Sequence, residues 1–336
     1  MRHCFECHHP QGNTAILVPR NSENQLETHK RNISVLIRIG YDIVLRLFHA
    51  SPVIFLLRVH PSRQPTLMSA EDFRLEPDLP VQYYLDSFGN HCGRLNASAG
   101  AIHLCNFAVV QDGGEPDLFA PVAKEALVCK MPPAALTFLL PSRYCEVDSE
   151  LMAFAWEKFG PIAPGWSRVQ GICDFVHEHI RFDYQHARSN RTALEAFREG
   201  VGVCRDFTHL AITLCRCLNI PARYVTGYLG DIGVPPMDAP MDFSAWMEVF
   251  LSGHWYSFDA RHNQPRIGRI VIARGRDAAD VPITMVFGNH HLEKFSVVTE
   301  EITMNGKYQP AVERAVQSSP RSEMLSLESA TSNFEV

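Results

Sequence analysis

The residue types and spacing that could do chemistry lie around Cys204, which follows two glycines and precedes a helical pattern. Gly200 and Gly202 predict a flexible turn, and the apolar residues after Cys204 recur on one side of a helix that stops before Pro221. Cys204 therefore lies at or next to a helix N-terminus, where unpaired N–H groups and the helix dipole stabilise a thiolate. The same N–H groups can hold a developing oxyanion. The pattern indicates a reactive cysteine, with a purely structural cysteine as the simpler alternative.

Three strand-like segments follow this helix. They cover residues 222–228, 243–250 and 254–259, and they are rich in branched and aromatic residues. A helix that carries the nucleophile, followed by antiparallel strands, is the order found in papain-like thiol enzymes. The sequence therefore predicts an α+β, papain-like domain in which a helix carrying Cys204 packs on an antiparallel sheet.

Several short motifs give this pattern a more specific resemblance. Residues 202–206 read Gly-Val-Cys-Arg-Asp, residues 220–225 read Ile-Pro-Ala-Arg-Tyr-Val, residues 245–249 read Ala-Trp-Met-Glu-Val, and residues 255–260 read Trp-Tyr-Ser-Phe-Asp-Ala. In this order the motifs resemble the transglutaminase-like superfamily, over a core of roughly residues 160–265. Arg38 and residues 60–63 and 86–90 resemble the N-terminal domain that accompanies the bacterial members.

The resemblance implies a Cys–His–Asp triad that forms a thioester with an amide carbonyl and passes the acyl group to water or an amine. By motif position, Cys204 is the nucleophile and Asp259 orients the imidazole. The family histidine precedes the Ala-Trp pair, whereas this sequence has Ser244 there. Serine is no base near neutral pH and forms no imidazolium–thiolate pair with the cysteine. The resemblance implies a peptide or protein substrate with an amide group, and neither a cofactor nor a metal.

Three interpretations of Ser244 stay open. In the first, His262 supplies the base, because it follows Asp259 closely and a turn can bring its ring back toward the thiol. His209 is a weaker candidate, because it projects about 140° away from Cys204 around the helix. In the second, the enzyme is slow and works without an imidazole. In the third, catalysis is lost and the cleft binds a peptide or a glutamine-like group. The enzyme interpretation is favoured, with a cysteine peptidase or amidase as the nearest alternative.

Charged residues near the strands are predicted to face solvent. Glu248 lies on the same strand face as Trp246 and Ser244, so it could border the cleft, but a solvated carboxylate is the simpler interpretation. A run of arginines after the last strand is likewise predicted to form a solvated surface. These residues are Arg261, Arg266, Arg269, Arg274 and Arg276.

The chain is predicted to divide into four parts. Residues 1–30 are polar and aperiodic, as in a disordered leader, and residues 31–147 predict a β-rich, sandwich-like domain. Residues 148–307 contain the thiol domain, and the Ser- and Glu-rich residues 308–336 predict a disordered tail. Within the leader, two thiolates and two imidazoles could hold zinc, although such crowded ligands lack the second limb of a zinc finger. They are Cys4, Cys7, His8 and His9.

Composition limits the classes of function and the location. The 336 residues are 46% hydrophobic, which is enough for a large core, and the formal charge of −6 argues against a general nucleic-acid binder. No apolar run reaches the roughly 18 residues of a membrane helix, and the N-terminus lacks the apolar core of a signal peptide. The ten cysteines are scattered, as reduced thiols in a cytosolic protein are. The sequence therefore predicts a cytoplasmic protein.

Overall fold

The computed structural model describes residues 34–236 and 241–302, and the following helices and strands all lie within those ranges. The predicted leader, the candidate zinc ligands at positions 4, 7, 8 and 9, and the predicted tail lie outside them. The α-helices are α1 (Pro133–Leu136), α2 (Leu151–Phe159), α3 (Trp166–His179), α4 (Ala193–Glu199) and α5 (Cys204–Cys217). The first strands are β1 (Val35–Leu47), β2 (Ser51–Phe55), β3 (Arg74–Glu76), β4 (Gln82–Leu85), β5 (His91–Ala97), β6 (Gly100–Asp112) and β7 (Arg181–Phe182). The others are β8 (Val201–Gly202), β9 (Ala222–Tyr228), β10 (Ser244–Leu251), β11 (His254–Phe258), β12 (Ile270–Gly275), β13 (Thr284–Val286) and β14 (His290–Ile302).

The central sheet of the predicted thiol domain has the strand order β11-β10-β9-β12, and every neighbouring pair is antiparallel. Helix α5 packs on β9 and β10. Since all its residues from Asp206 to Cys217 are buried, the helix is the centre of the core rather than a surface element. The mixed α+β class and the packing of the Cys204 helix on an antiparallel sheet are confirmed.

Two further four-stranded sheets account for the strand-rich N-terminal region, which is also confirmed. Their strand orders are β14-β1-β6-β3 and β13-β2-β5-β4. Each sheet is completed by a strand from the C-terminal part of the chain, and Ile39 of β1 pairs with Thr299 of β14. The predicted boundary after residue 147 assigns both late strands to the thiol domain. Local sequence patterns identify strands but not the strands they pair with. The pairing of β13 with β2 and of β14 with β1 was therefore missed.

The turn that leads to α5 is set by glycines, as the sequence predicts. Helix α4 begins with a capping box between Thr192 and Glu195, and it ends at Gly200, which has the left-handed φ of 62° that glycine adopts without strain. Strand β8 then pairs in parallel with β7, with Phe182 opposite Gly202. The short strand fixes the backbone two residues before Cys204 and so determines where α5 starts.

The helices of the described ranges include none that is long and apolar enough to span a membrane.

Candidate active site

Cys204 is the first residue of α5. Asp206, three positions after the N-cap residue Val203, caps the N-terminus of that helix. Asp206 is fully buried, and its Oδ2 accepts hydrogen bonds from the Val203 N–H at 2.9 Å and from Arg191 Nη1 at 2.9 Å. Gly202 is required here because a Cβ on it would lie 2.6 Å from Asp206 Oδ2. The Asp206 carboxylate thus caps a free N–H group at the positive end of the helix.

The thiol of Cys204 is neutral at physiological pH in this environment. The residue is half-buried, yet desolvation of the sulfur raises its pKa to about 11. The charge of Arg261 and the N–H of Ala245 oppose that rise, whereas the charges of Asp242 and Asp206 add to it. The expected stabilisation of a thiolate by the helix N-terminus is therefore outweighed by burial.

A cavity of about 260 Å³ adjoins Cys204 and also contains Ser244. The structure thus brings together the candidate nucleophile and the serine that stands at the family histidine position. Ser244 opens β10, opposite Gly227 of β9. Apolar and aromatic side chains make up much of the cavity wall, and they come from four parts of the chain. They are Tyr224, Phe243, Val281, Pro282, Ile283 and Phe295.

The second pair of predicted site residues also meets. His262 Nδ1 lies 2.9 Å from Asp259 Oδ2, and the His262 backbone N–H donates to Asp259 Oδ1 at 3.1 Å. Arg269 Nη2 donates to the same Oδ2 at 3.0 Å. Burial alone would raise the pKa of Asp259, but the Arg269 charge and the hydrogen bonds of His262 hold it well below its usual range. Asp259 is therefore a permanent anion beside the imidazole.

This contact determines the tautomer of His262. Because an ionised carboxylate only accepts hydrogen bonds, Nδ1 must carry the proton that faces Asp259. In the neutral ring Nε2 is then the unprotonated nitrogen, which is the arrangement of a histidine that works as a general base.

The loop that carries His262 is held against helix α3. His177 Nδ1 lies 3.1 Å from the carbonyl oxygen of Ala260 and 2.9 Å from that of Arg261. Because carbonyl oxygens only accept, its N–H donates a hydrogen bond shared between them. Asn263 donates to Asp174 Oδ1 at 2.8 Å and accepts from Gln170 at 2.9 Å. These contacts fix the backbone on both sides of the imidazole.

Neither His209 nor His254 is available as the base. His209 is completely buried between Tyr144 and Tyr224, with ring centroids 5.3 and 5.2 Å away, and its Nε2 accepts from the Ala278 N–H at 3.1 Å. Burial lowers its pKa well below the ordinary value. His254 lies exposed at the start of β11. The low rank of His209 among the candidates thus agrees with its structural role.

Two predictions about charged residues are wrong. Glu248 is 7% exposed and is not a solvated carboxylate, because it pairs with Arg223 at 2.5 Å and Arg274 at 2.9 Å. The arginines after β11 do not form a solvated surface either: Arg266 is buried, and Arg269 is held between Asp117 and Asp259. Their partners lie far away in sequence, so the local charge pattern could not reveal the pairing. The pairing of Arg269 with Asp259 and the Arg261 contribution at the thiol were missed.

Among residues 34–236 and 241–302, no group of three or more His, Cys, Asp or Glu side chains is placed to hold a metal ion.

Comparisons with known proteins agree with the fold. A sequence profile of the transglutaminase-like superfamily matches residues 157–260, the segment that includes α3, α5 and β9 to β11. That segment resembles a transglutaminase-like domain. The predicted resemblance is confirmed. The match includes Cys204, Ser244 and Asp259, whereas His262 lies two positions past its end.

The relatives are bacterial. A crystal structure of a candidate cysteine protease from Cytophaga hutchinsonii has a TM-score of 0.68 and 29% identity, and the match covers 80% of this chain and 91% of that one. An uncharacterized protein of Mycobacterium tuberculosis is 38% identical over 157 residues, which are 44% of this chain and 50% of that protein. A similar protein of Mycobacterium leprae is 30% identical over 117 residues, which are 32% of this chain and 40% of that protein. The matches thus span half or less of these mycobacterial relatives.

Proposed function

We propose that the protein is a thiol-dependent acyl transferase or hydrolase that acts on amide groups of peptides, including glutamine carboxamides. Cys204 is the nucleophile, and His262 is the base that replaces the missing histidine at position 244. The observation that carries the proposal is the Asp259–His262 contact of 2.9 Å, which places the proton of the neutral imidazole on Nδ1 and leaves Nε2 as the nitrogen that can accept a proton. A thiol enzyme needs an imidazole whose tautomer is fixed by a buried anion, whereas a binding module has no need of one.

The sheet register supports the placement of His262 near Ser244. Met247 of β10 pairs with Phe258 of β11. If that register continued for three residues, residue 261 would come level with Ser244. The chain leaves the strand after Phe258, so the loop with His262 begins beside the end of β10 where Ser244 and the cavity lie. The small side chain of Ser244 leaves room there for a ring that comes from the neighbouring strand.

Electrostatics connect the same loop to the thiol. Arg261, the residue before His262, is the charged group with the largest effect on the pKa of Cys204. Its backbone carbonyl is held by His177 at 2.9 Å, which fixes the loop on the protein. These observations support a site in which the loop that carries Arg261 and His262 lies near Cys204.

The chemistry then follows the acyl-enzyme route. His262 Nε2 takes the thiol proton as Cys204 sulfur attacks the amide carbonyl carbon, and the C–S bond forms. The tetrahedral oxyanion is stabilised by N–H groups at the start of α5. The C–N bond breaks, and the leaving ammonia or amine takes the proton from His262. Water or an amine then attacks the thioester carbonyl carbon and gives a proton to His262. The C–S bond breaks, the acid or new amide leaves, and the proton on His262 returns to the sulfur.

The neutral state of the thiol fits this order of events. A pKa of about 11 means that no thiolate–imidazolium pair is preformed, so proton transfer accompanies attack. A neutral thiol of this kind reacts slowly with general electrophiles. The apolar wall of the cavity favours a substrate with an apolar side chain next to the amide.

Two observations favour a second candidate, a non-catalytic peptide-binding module. Ser244 stands where the family histidine belongs, and the pKa of Cys204 is raised rather than lowered. A module of this kind would use the cavity beside Cys204 to bind a peptide without forming a thioester.

Intact-mass spectrometry separates the two candidates. The wild-type protein is incubated with glutamine-containing peptides, with and without a primary amine, and the ammonia released is measured in parallel. We expect a covalent adduct equal to the peptide minus ammonia, its absence in Cys204→Ala, and ammonia release with the wild type only. Peptide binding by both proteins, without adduct or ammonia, would support the module and contradict the enzyme.

The cytoplasmic location, the absence of nucleic-acid binding and the roles of the individual site residues stay predictions.

A further inference from the structure

Arg261 has an unusual environment for a half-buried arginine. Its guanidinium carbon lies 3.9 Å from the centre of the Phe182 ring, so the group stacks on an aromatic face. Over residues 34–236 and 241–302, its side chain forms neither an ion pair nor a hydrogen bond. The neighbouring Arg269 is different, since it pairs with Asp117 and Asp259. A half-buried cation without an anion is costly unless it serves another charge.

The Phe182 ring places this cation beside the start of α5. Phe182 pairs with Gly202 across the parallel β7–β8 ladder, and Gly202 comes two residues before Cys204. The Phe182 ring also lies 6.4 Å from the Phe207 ring, on the first turn of the same helix. The guanidinium on Phe182 is therefore a neighbour of the segment that carries the sulfur.

The backbone of Arg261 has little freedom to move the cation away. Its carbonyl oxygen accepts from His177 at 2.9 Å, and its N–H donates to Asp259 Oδ1 at 3.0 Å. The stem of the side chain is thus fixed at one end by Asp259, while the guanidinium is fixed at the other end by Phe182.

The other charged groups around the sulfur are acids or arginines that are already engaged. Arg191 pairs with Asp206 at 2.9 Å, and Asp242 is an acid on the wall of the cavity. Arg205 follows Cys204 directly, but its Nη1 and Nη2 donate to the carbonyls of Arg188 and Arg191 at 2.9 and 3.4 Å. Its guanidinium is also stacked on another ring, Tyr144, at 4.2 Å.

We propose that Arg261 is the electrostatic partner of the Cys204 sulfur and stabilises the thiolate as it forms. In the family pattern this charge comes from an imidazolium at the position of Ser244. Here the two tasks of that histidine are divided: His262 accepts the proton, and Arg261 carries the permanent positive charge. The direction of its effect on the pKa of Cys204 agrees with this division. The proposal rests on the assignment of Cys204 as the nucleophile.

Alkylation by iodoacetamide tests this role without a known substrate. The thiolate displaces iodide and forms a C–S bond, and the thiol proton goes to the solvent, so the rate follows the thiolate fraction. Peptide mass spectrometry resolves Cys204 from the other cysteines. The rate is measured from pH 7 to pH 10 in the wild type, Arg261→Gln and Arg261→Lys. Arg181→Gln is the matched control, because Arg181 is the exposed arginine next to Phe182 and pairs with Asp183.

Loss of the charge should slow alkylation of Cys204 below its pKa by about threefold to tenfold, which corresponds to a rise of half a pKa unit to one unit. Arg261→Lys should recover most of the rate, and Arg181→Gln should leave it unchanged. Circular dichroism checks the fold. If Arg261→Gln is unfolded, Arg261→Met is used instead, since its apolar stem can still lie on Phe182.

Two results would overturn the role of Arg261. One is alkylation of Cys204 at the wild-type rate in a folded Arg261→Gln or Arg261→Met variant. The other is equal slowing by Arg261→Lys and Arg261→Gln, which would mean that stacking on Phe182 matters rather than charge. The alkylation rate is independent of turnover, so it stays informative if no acyl-enzyme forms. An acyl-enzyme in a variant with unchanged alkylation would leave the proposed function intact and remove only this role.

Discussion

The loop after β11 and the start of α5 both bury an acidic group of the candidate site, with opposite results. Asp259 in the loop is 7% exposed and ionised, because Arg269, His262 and two backbone N–H groups all face its oxygens. Cys204 at the helix start has one backbone N–H and one cation acting in its favour, and desolvation prevails. Burial raises the pKa of both acids, so the number of compensating donors decides which one carries a charge.

This difference suggests a division of work between the two regions. The loop is built to hold a fixed anion and a fixed imidazole. The helix start is built to hold a thiol that stays neutral until a substrate arrives. Each region can be disturbed separately.

Arg269→Met should have the largest effect, because it leaves the buried Asp259 without its cation. Removal of one partner from a buried ion pair typically costs about 3–5 kcal/mol, so we expect a large drop in the free energy of unfolding in urea. The matched control is Arg198→Met, which removes an exposed arginine paired with Glu150, and its unfolding midpoint should not change. Equal stability of Arg269→Met and the wild type would mean that Arg269 does not hold the loop.

Folding should suppress the reactivity of Cys204 itself. The pKa of the thiol is about 11 in the folded protein. A cysteine in an unfolded chain has a pKa of about 8.5, so near pH 8 the thiolate fraction should fall by a factor on the order of one hundred when the chain folds.

The measurement compares iodoacetamide labelling of Cys204 in native protein and in urea. The exposed Cys129 serves as the internal control, since its labelling should differ little between the two states. Native labelling of Cys204 that is faster than in urea would show a preformed thiolate and contradict the contrast between the two regions.

Gly202→Ala should disturb only the helix start, with a smaller effect. The new Cβ would lie 2.6 Å from Asp206 Oδ2 and 2.7 Å from its Cβ, so the capping carboxylate must move. Crowding of this kind costs about 1–3 kcal/mol, which a urea titration can measure. Gly113→Ala is the matched control, because a Cβ at Gly113 meets nothing within 4 Å and its φ lies outside the left-handed region. A loss in the Gly113 variant as large as that in the Gly202 variant would mean that the Asp206 cap contributes little.

The sequence revealed the parts of this site that depend on local pattern. The glycine turn and the following amphipathic run placed Cys204 at a helix start, and α5 begins at that residue. Alternating apolar residues located β10, which begins at Ser244, and β11, which ends one residue before Asp259. The short spacing from Asp259 made His262 the candidate base, and the structure places its imidazole on the Asp259 carboxylate.

What the sequence did not reveal depends on partners that lie far apart in the chain. Asp117 lies 152 residues before Arg269, and nothing near either residue announces the pair. Glu248 has a surface-like residue type but meets two arginines inside the protein. The state of the Cys204 thiol was missed for the same reason, because its burial comes from the packing of the whole domain rather than from the helix that carries it.

The most direct test of the account is single-turnover acylation of Cys204 by a 4-nitrophenyl ester, followed by release of nitrophenol in the wild type and in His262→Gln. Glutamine can still donate a hydrogen bond to Asp259 but cannot accept the thiol proton. Cys204→Ala gives the background. His262→Gln should acylate about 10²–10⁴-fold more slowly than the wild type, as expected for the loss of a general base. A folded His262→Gln variant that acylates at the wild-type rate would contradict the assignment of His262 as the base.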